Sequence, residues 1–583
     1  MNRRDFLQTI GLAASLVPQQ ATAVTSADLP LPDWARTGRF AYMALDGGPL
    51  EAEKGLRSGW EHFTRADPNG VVKAVRDLYR LENVEIPLAA NANWVYVTWT
   101  NGWSKERERQ EQWPLAKRFM EECRRHNIHT SVYISAANMF WEDYLERVPQ
   151  SRTWIESVEP SALRHYGGSL YRTMANVRLP EWRNEIKTSI DAALDAGAEG
   201  FWIDNLFWWH GRPLFEDFVN EMQQYAGRRK SNLVWHTNVN RGAYNWARVG
   251  NVVGTEDGRT AKFDEHATPG VSGNLGLLSF ISGLKEGWRS AELEHYGNDL
   301  SADTRQLLIA ECWAWQVGFT IFPPDRLMQA RWHQRDPAAW KILEAMGFYN
   351  RHQLKYAEWF GEGEPLARIG IIGHAGCMGD DLATQRRTSK GQGELIALLD
   401  YLAGSGLQFE VLFEDRLRPE ALARFSLIAM IDPEHAPEGA AEALAGYRGA
   451  LVCPPSFATT ASNRIELAAE AFDVKRRPQL LFEALATKQS TASVHVQGPR
   501  GVIHRALRQR GAILVHLVNY HMKAIEPVTV RLSGSAVRVS VLVPEESGVR
   551  PLEVRHDGGF TVVTVPPFRI HAAVRFESPF NRG

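Results

Sequence analysis

Cysteine is scarce. Cys123, Cys312, Cys377 and Cys453 are scattered over 583 residues, with no CxxC pair. This spacing argues against a thiolate zinc site and against a disulfide framework. An excess of charge of one sign is also missing. With 66 Lys and Arg against 68 Asp and Glu, the formal charge is −2, which gives no electrostatic footprint for nucleic acid or an anionic membrane surface. His210, His236, His266 and His295 are dispersed without an HxxxH or HxH pair, so no metal is expected. No Gly-rich phosphate turn follows the first predicted strand, and no cofactor is expected. Gly373-His-Ala-Gly-Cys-Met-Gly379 departs from the G-x-S-x-G spacing of a nucleophile elbow, which leaves Cys377 incidental. Internal repeats and low-complexity segments are absent from the chain. What is left is a globular composition, 44% hydrophobic and 23% charged, in a chain too long for one core.

Three features stand out in what is present. The first is the N-terminus. Arg3-Arg4-Asp5-Phe6-Leu7 matches a twin-arginine export signal, followed by the apolar run Thr9 to Pro18 and the small-x-small site Ala21-Thr22-Ala23. The run is too short to span a bilayer permanently. Cleavage after Ala23 is expected, with a periplasmic or secreted product that has no membrane association; an uncleaved signal serving as an anchor is the alternative.

The second is a long alternation of strands and helices. Strand patterns fall at 38–46, 93–99, 129–135, 200–203, 232–237, 251–255, 290–295 and 318–322, with helical periodicity between most of them, for example 110–127 and 302–316. The fold class is α/β. Eight such units over 30–360 fit a (β/α)8 TIM barrel with enlarged loops on its catalytic face. A shorter series over 366–475 predicts a small open α/β domain like the flavodoxin type. Short alternating strands over 490–578 predict a β-sandwich.

The third is the aromatic content, with 20 Trp, and where it gathers. Gly200-Phe-Trp-Ile-Asp204-Asn205 is an apolar run that stops at a carboxylate, and Trp208 and Trp209 follow it. A carboxylate at the C-terminal end of a parallel strand sits where barrels place their chemistry. Asp204 therefore reads as a catalytic carboxylate, with a helix N-cap or a satisfied buried Asp as the competing role. Cleaving a glycosidic bond takes a second carboxyl group across the anomeric carbon. Glu256, ending the sixth strand, is the leading partner, and Asp257, Glu292 and Glu294 stay open. Asp46, Trp99, Trp103, Asn138, Trp208, Trp209, His236, Asn238, Asp257 and Glu294 are candidate substrate-binding residues at strand ends. Trp faces stack on the apolar C–H patches of sugars.

In the order of its parts the chain resembles the family 42 β-galactosidases and the related α-fucosidase-like glycoside hydrolases. That resemblance implies a middle domain like a glutamine amidotransferase without its catalytic residues, and a homo-oligomer, dimer or trimer. The β-galactosidases carry an Asn-Glu pair after strand four and a Glu nucleophile on strand seven. Here Asp204-Asn205 stands after strand four, which is similar instead to the α-galactosidase and α-fucosidase type of barrel. Carried over on that likeness, Asp204 is the nucleophile and Glu256 the acid/base.

The expectation is an exported glycoside hydrolase, retaining in outcome. Its substrate would be an α-linked hexose or deoxyhexose, such as galactose or fucose, in an oligo- or polysaccharide. Three alternatives stand beside it: an inverting enzyme using the same two residues, a β-galactosidase-type hydrolase using a strand-seven Glu, and a non-catalytic carbohydrate-binding protein on a barrel scaffold. A metal-dependent hydrolase or lyase would need clustered ligands that the sequence does not supply.

Overall fold

The computed structural model describes residues 30–43, 79–155, 157–159, 162–163, 172–204, 212–238, 249–266, 270–284, 290–295, 301–320, 331–373, 382–413, 416–437, 439–489 and 494–577. The export signal, Asp46, Trp208, Trp209 and Cys377 lie outside the described residues.

Eight strands form one sheet in sequence order: β1 (Phe40–Met43), β2 (Trp94–Thr100), β3 (His129–Ser135), β4 (Gly200–Asp204), β5 (Val234–Asn238), β6 (Val252–Gly258), β7 (Ser290–His295) and β8 (Gly318–Thr320). Every neighbouring pair is parallel. The last strand lies against the first, closing a barrel. Helices α1 (Trp113–Arg125), α2 (Pro180–Asp195), α3 (Arg212–Gly227), α4 (Leu275–Gly283), α5 (Ala302–Trp315) and α6 (Pro337–Lys355) belong to its outer layer.

Strand alternation divides the aromatic content between two cores. On β2, Val95, Val97 and Trp99 point outward and join Phe119 and Met120 of α1 in the outer core. Trp94 and Tyr96 point inward and pack with Tyr133, Trp202, Val234 and Val252. This interior is closed from below by Leu31 and by Ala35 of the short helix Asp33–Arg36. There Trp34 stacks on His129, at the N-terminal end of β3, with ring centroids 4.2 Å apart. The plug leaves the C-terminal ends of the strands as the face for chemistry.

The approach to β4 shows how local sequence sets position. Pro180 starts α2 at a place where its missing N–H costs nothing. Trp182, Ile186, Ile190 and Ala193 then recur at helical spacing on the buried side. Gly197 stops the helix at φ +91°, a conformation that disfavours a side chain. Gly200 follows where an added Cβ would come within 2.6 Å of Val234, so β4 and β5 pack closely.

Beyond the barrel, β9 (Ile369–Ile372), β10 (Glu410–Leu412), β11 (Leu427–Ala429), β12 (Ala450–Cys453) and β13 (Arg464–Glu466) form a parallel sheet in the order β10-β9-β11-β12-β13. That is the doubly wound order of the flavodoxin type. Helix α7 (Leu382–Gly404) joins β9 to β10 and packs on α4 of the barrel. The contact is tight because Gly276 of α4 has no side chain; a Cβ there would lie 2.1 Å from the Ile396 carbonyl oxygen.

The last part is antiparallel. Strands β14 (Val494–Gln497), β15 (Val502–Gln509), β16 (Ala512–Asn519), β17 (Val528–Ser533), β18 (Arg538–Leu542), β19 (Val549–Pro551), β20 (Arg555–Asp557), β21 (Phe560–Val565) and β22 (His571–Glu577) divide between two sheets. One runs β15-β16-β22-β18-β19, with the strand Glu364–Pro365 added to the edge of β15; the other runs β14-β17-β21-β20. Alternating Val and Leu from both fill the space between them, giving a β-sandwich.

Among the described residues, several elements differ from expectation. A short antiparallel pair, Asn138–Phe140 with Arg172–Met174, follows β3. The helix expected from Gln110 is preceded by a π-turn at Glu108–Gln112. Strand β13 and the helix Pro478–Gln489 were not anticipated.

Candidate active site

Asp204 is the last residue of β4. Phe201 and Ile203 face the outer core, so the same alternation puts Trp202 and Asp204 on the interior face. The carboxylate is half-buried, and its Oδ2 accepts a hydrogen bond of 2.7 Å from the Tyr133 hydroxyl. Tyr133 arrives from β3, whose Ser135 pairs directly with Asp204. The following helix, α3, starts only at Arg212, so Asp204 is not its N-cap. A carboxylate at a barrel mouth, held by a tyrosine hydroxyl and still open to solvent, can act as a nucleophile or a base.

Register gives the height of the other carboxylates. The pairings run from Thr98 through Tyr133, Trp202, His236 and Val252 to Ser290. Thr98 lies near the end of β2, whereas Ser290 is the first residue of β7, so this line descends through the barrel. A level ring must climb about one residue per strand, and alternate strands supply each layer. Ile203 pairs with Thr237, and continuing that register by one residue sets Asp204 beside Asn238, which pairs with Gly254; climbing from Gly254 to stay level reaches the backbone position of Glu256 on β6. By the same rule Asn238 on β5 and Glu294 on β7 share the layer of Tyr133. Glu292 sits a step lower, and Asp257 is out of phase with Glu256. The register of β6 with β7 shifts between Thr255 and Gly258, an irregularity of the kind that re-aims residues beside active sites. The side chains of Asn238, Glu256, Asp257, Glu292 and Glu294 lie outside the described residues.

Two expected rim residues come together. Phe140 donates its N–H to the Gly102 carbonyl at 2.8 Å, and Gly102, at φ +96°, lies so close to the Asn138 carbonyl that a Cβ would be 2.6 Å away. This contact sets Trp103 on Phe140, stacked at 4.2 Å, with the Arg107 guanidinium 5.1 Å from the Trp103 ring. Asn138 is fully buried, and neither its Oδ1 nor its Nδ2 has a hydrogen-bond partner among the described residues. The Trp103 indole N–H is buried and equally unmatched.

Two expected rim residues are elsewhere. Trp99 is not at the rim, because β2 continues to Thr100 and the alternation sends Trp99 outward. It stacks on Trp113 of α1 at 5.3 Å and donates its indole N–H to the Ser189 carbonyl of α2. His236 lies inside the barrel, fully buried, with its ring centroid 4.2 Å from Trp202 and 5.3 Å from Tyr96. Burial pushes its pKa well below the usual imidazole range, so it is neutral.

Sequence reasoning missed Tyr133, and it missed the brace behind the β2 loop. Glu108, fully buried on the π-turn, accepts from Lys105 at 2.9 Å and from the Asn101 N–H at 3.2 Å. Burial, opposed by Lys105, pushes its carboxyl up to about 7. Asp143 accepts from the Ser104 N–H and from Arg107, tying this loop to the helix after Phe140. The signal available was the run Lys105-Glu-Arg-Glu108 directly after a predicted strand end. Among the described residues no group of three or more His, Cys, Asp or Glu could hold a metal ion.

No protein-family model and no curated protein matches the sequence. Solved structures do match in fold. The chain is similar to α-L-fucosidase isoenzyme 2 from Paenibacillus thiaminolyticus, with TM-score 0.63 and 10% identity over 85% of this chain and 96% of that one. It is similar to a β-galactosidase from Bacillus circulans sp. alkalophilus, with TM-score 0.60 and 10% identity over 86% and 97%. A GH42 β-galactosidase from G. stearothermophilus matches with TM-score 0.56 and 9% identity over 86% and 96%. Over most of its length the chain shares the fold of these barrel proteins.

Proposed function

We propose that this chain is a glycoside hydrolase that uses Asp204 as its nucleophile. The observation that carries the reading is the position of Asp204: at the C-terminal end of β4, on the interior face, half-buried and held by Tyr133. The fold likeness to an α-L-fucosidase and to β-galactosidases supports the same class. In this reading Asp204 attacks the anomeric carbon as Glu256 gives its proton to the leaving oxygen. Glu256 then takes a proton from the water that releases the sugar, and configuration is retained. Asn138 and Trp103 bind substrate hydroxyls with hydrogen-bonding groups that are unmatched among the described residues. An α-linked hexose or deoxyhexose in an oligo- or polysaccharide is the proposed substrate. Export through the twin-arginine signal and assembly into a homo-oligomer belong to the same proposal.

A second reading has one specific observation in its favour. Glu294 on β7 shares the layer of Tyr133, one residue step below that of Asp204, and Tyr133 is the residue that holds Asp204. In that case Glu294 attacks and Asp204 assists.

Asp204→Asn tests the assignment on a panel of nitrophenyl α- and β-glycosides. Turnover of the preferred glycoside is expected to fall by about three orders of magnitude or more, in the range seen when a group acting directly in the transition state is removed. Near-native turnover by a folded Asp204→Asn protein would rule out the nucleophile role.

A further inference from the structure

A cavity of about 890 Å³ lies where the barrel, the five-stranded sheet and the sandwich meet. It is lined at the barrel end by Gly283, which closes α4, and by Trp315, which closes α5. These helices lead into β7 and β8, so the cavity opens at the N-terminal end of the strands, on the side opposite Asp204.

Its lining is rich in arginine, and most of the carboxylates there are already engaged. Glu410 binds Arg416 at 2.7 Å and Arg424 at 3.1 Å. Arg424 also reaches Glu364 at 2.8 Å, and Glu362 pairs with Arg36 at 3.5 Å. Four lining arginines, Arg418, Arg505, Arg508 and Arg510, have no carboxylate within ion-pair distance among the described residues. Arg505 is the distinctive one. It is 4% exposed, it donates to the Phe409 carbonyl at 2.8 Å, and its Nε has no acceptor among the described residues. A buried guanidinium with an unmatched donor is costly unless an anion completes it. Burial lowers its pKa to about 10, so it is still charged at neutral pH. The chain as a whole has a formal charge of −2, so this concentration of unpaired cations is local.

The volume exceeds what a single inorganic anion fills and falls within the range of ligand pockets. The Trp315 ring, with Arg505 5.8 Å from its centroid, adds an aromatic surface to the lining. Arginine matches carboxylate and sulfate by paired N–H donors. We propose that this cavity is a second saccharide site, which binds an oligosaccharide bearing two or more acidic groups, uronate or sulfate. The saccharide half of this statement rests on the hydrolase reading; the anionic half stands on the arginines alone.

Calorimetric titration of the full-length protein tests it, with trigalacturonate, a disulfated disaccharide, neutral maltotriose and inorganic phosphate as probes. At least one acidic saccharide is expected to bind, more weakly at higher salt, and at least tenfold more weakly to an Arg508→Ala/Arg510→Ala double variant. Both residues are exposed, so this variant leaves the buried Arg505 and the fold in place. Asp204→Asn protein is expected to bind the same probe as tightly as the native chain, which separates this site from the catalytic assignment. The proposal is overturned if neither acidic saccharide binds, if maltotriose or phosphate binds equally well, or if the double variant binds unchanged. It is also overturned if the double variant changes the sedimenting mass of the protein and leaves its affinity alone.

Discussion

At the scale of single residues, Asn138 separates stability from function. A fully buried amide without partners among the described residues has lost its water and recovers nothing from them, a cost of about 1–3 kcal/mol. A substrate hydroxyl would complete it. Asn138→Ala is therefore expected to leave the apparent unfolding midpoint unchanged or raised, while KM for the preferred oligosaccharide rises about tenfold, equivalent to one lost hydrogen bond. A lowered midpoint with unaltered kinetics would make Asn138 structural. Asp204 was legible in the sequence because an apolar run stopped at it, and solvent-exposed strand ends are the usual place for a charge after such a run. Tyr133 was not legible. In His129-Thr-Ser-Val-Tyr-Ile-Ser135 a tyrosine looks like any other strand former, and only the pairing of Ser135 with Asp204 brings its hydroxyl to the carboxylate. The side chains that would complete the pair across the sugar belong to positions fixed here by register alone.

Elements decide which face a residue serves. Trp99 and Tyr96 belong to one strand, yet one braces helices and the other fills the barrel. Sequence shows the alternation but not the residue at which the strand stops. Ending β2 one residue early places Trp99 on the rim; the observed strand runs on to Thr100 and sends it outward. Trp99→Phe removes the hydrogen bond to Ser189 and part of the stack on Trp113, a loss of about 0.5–1.5 kcal/mol for the bond alone. The unfolding midpoint is expected to drop while KM holds. A raised KM at an unchanged midpoint would put Trp99 back in the substrate site. The Asn138–Phe140 strand escaped notice because three residues carry no period, and its partner Arg172–Met174 is remote in sequence. The π-turn at Glu108–Gln112 is hidden for a related reason: one widened turn barely disturbs the helical spacing of Trp113, Ala116, Phe119 and Met120.

At the scale of the whole molecule, one buried carboxyl binds the barrel and the sandwich together. Glu311 of α5 accepts from the Tyr520 hydroxyl, just past β16 of the sandwich, and from Asn274 at 2.9 Å, just before α4. Asp400 of α7 lies near, itself bonded to the Gly276 N–H at 2.6 Å. Burial pushes Glu311 up to about 7 against the donors from Tyr520 and Asn274, and burial pushes Asp400 up to about 6. For carboxyls raised above their unfolded values, the folded state binds the extra protons. Their stabilising effect is complete below about pH 4 and is lost as pH rises through 6 to 7. The Glu311 shift, from 4.5 to about 7, corresponds to a loss on the order of 3 kcal/mol. The apparent unfolding midpoint is expected to fall between pH 5 and pH 8, and Glu311→Gln to flatten that fall; equal slopes in both proteins would contradict it. The broad order of parts was legible, because a long strand–helix alternation, a shorter one and a run of short strands differ in period. This junction was not, since Asn274, Glu311, Asp400 and Tyr520 are far apart in sequence. The central claim concerns Asp204, and the most direct measurement is trapping. The protein is incubated with the 2-deoxy-2-fluoro aryl glycoside of its preferred sugar, digested, and its peptides weighed. The account predicts that the fluoroglycosyl mass is carried by Asp204; a label on Glu256 or Glu294, or release of product of inverted configuration with no label, would contradict it.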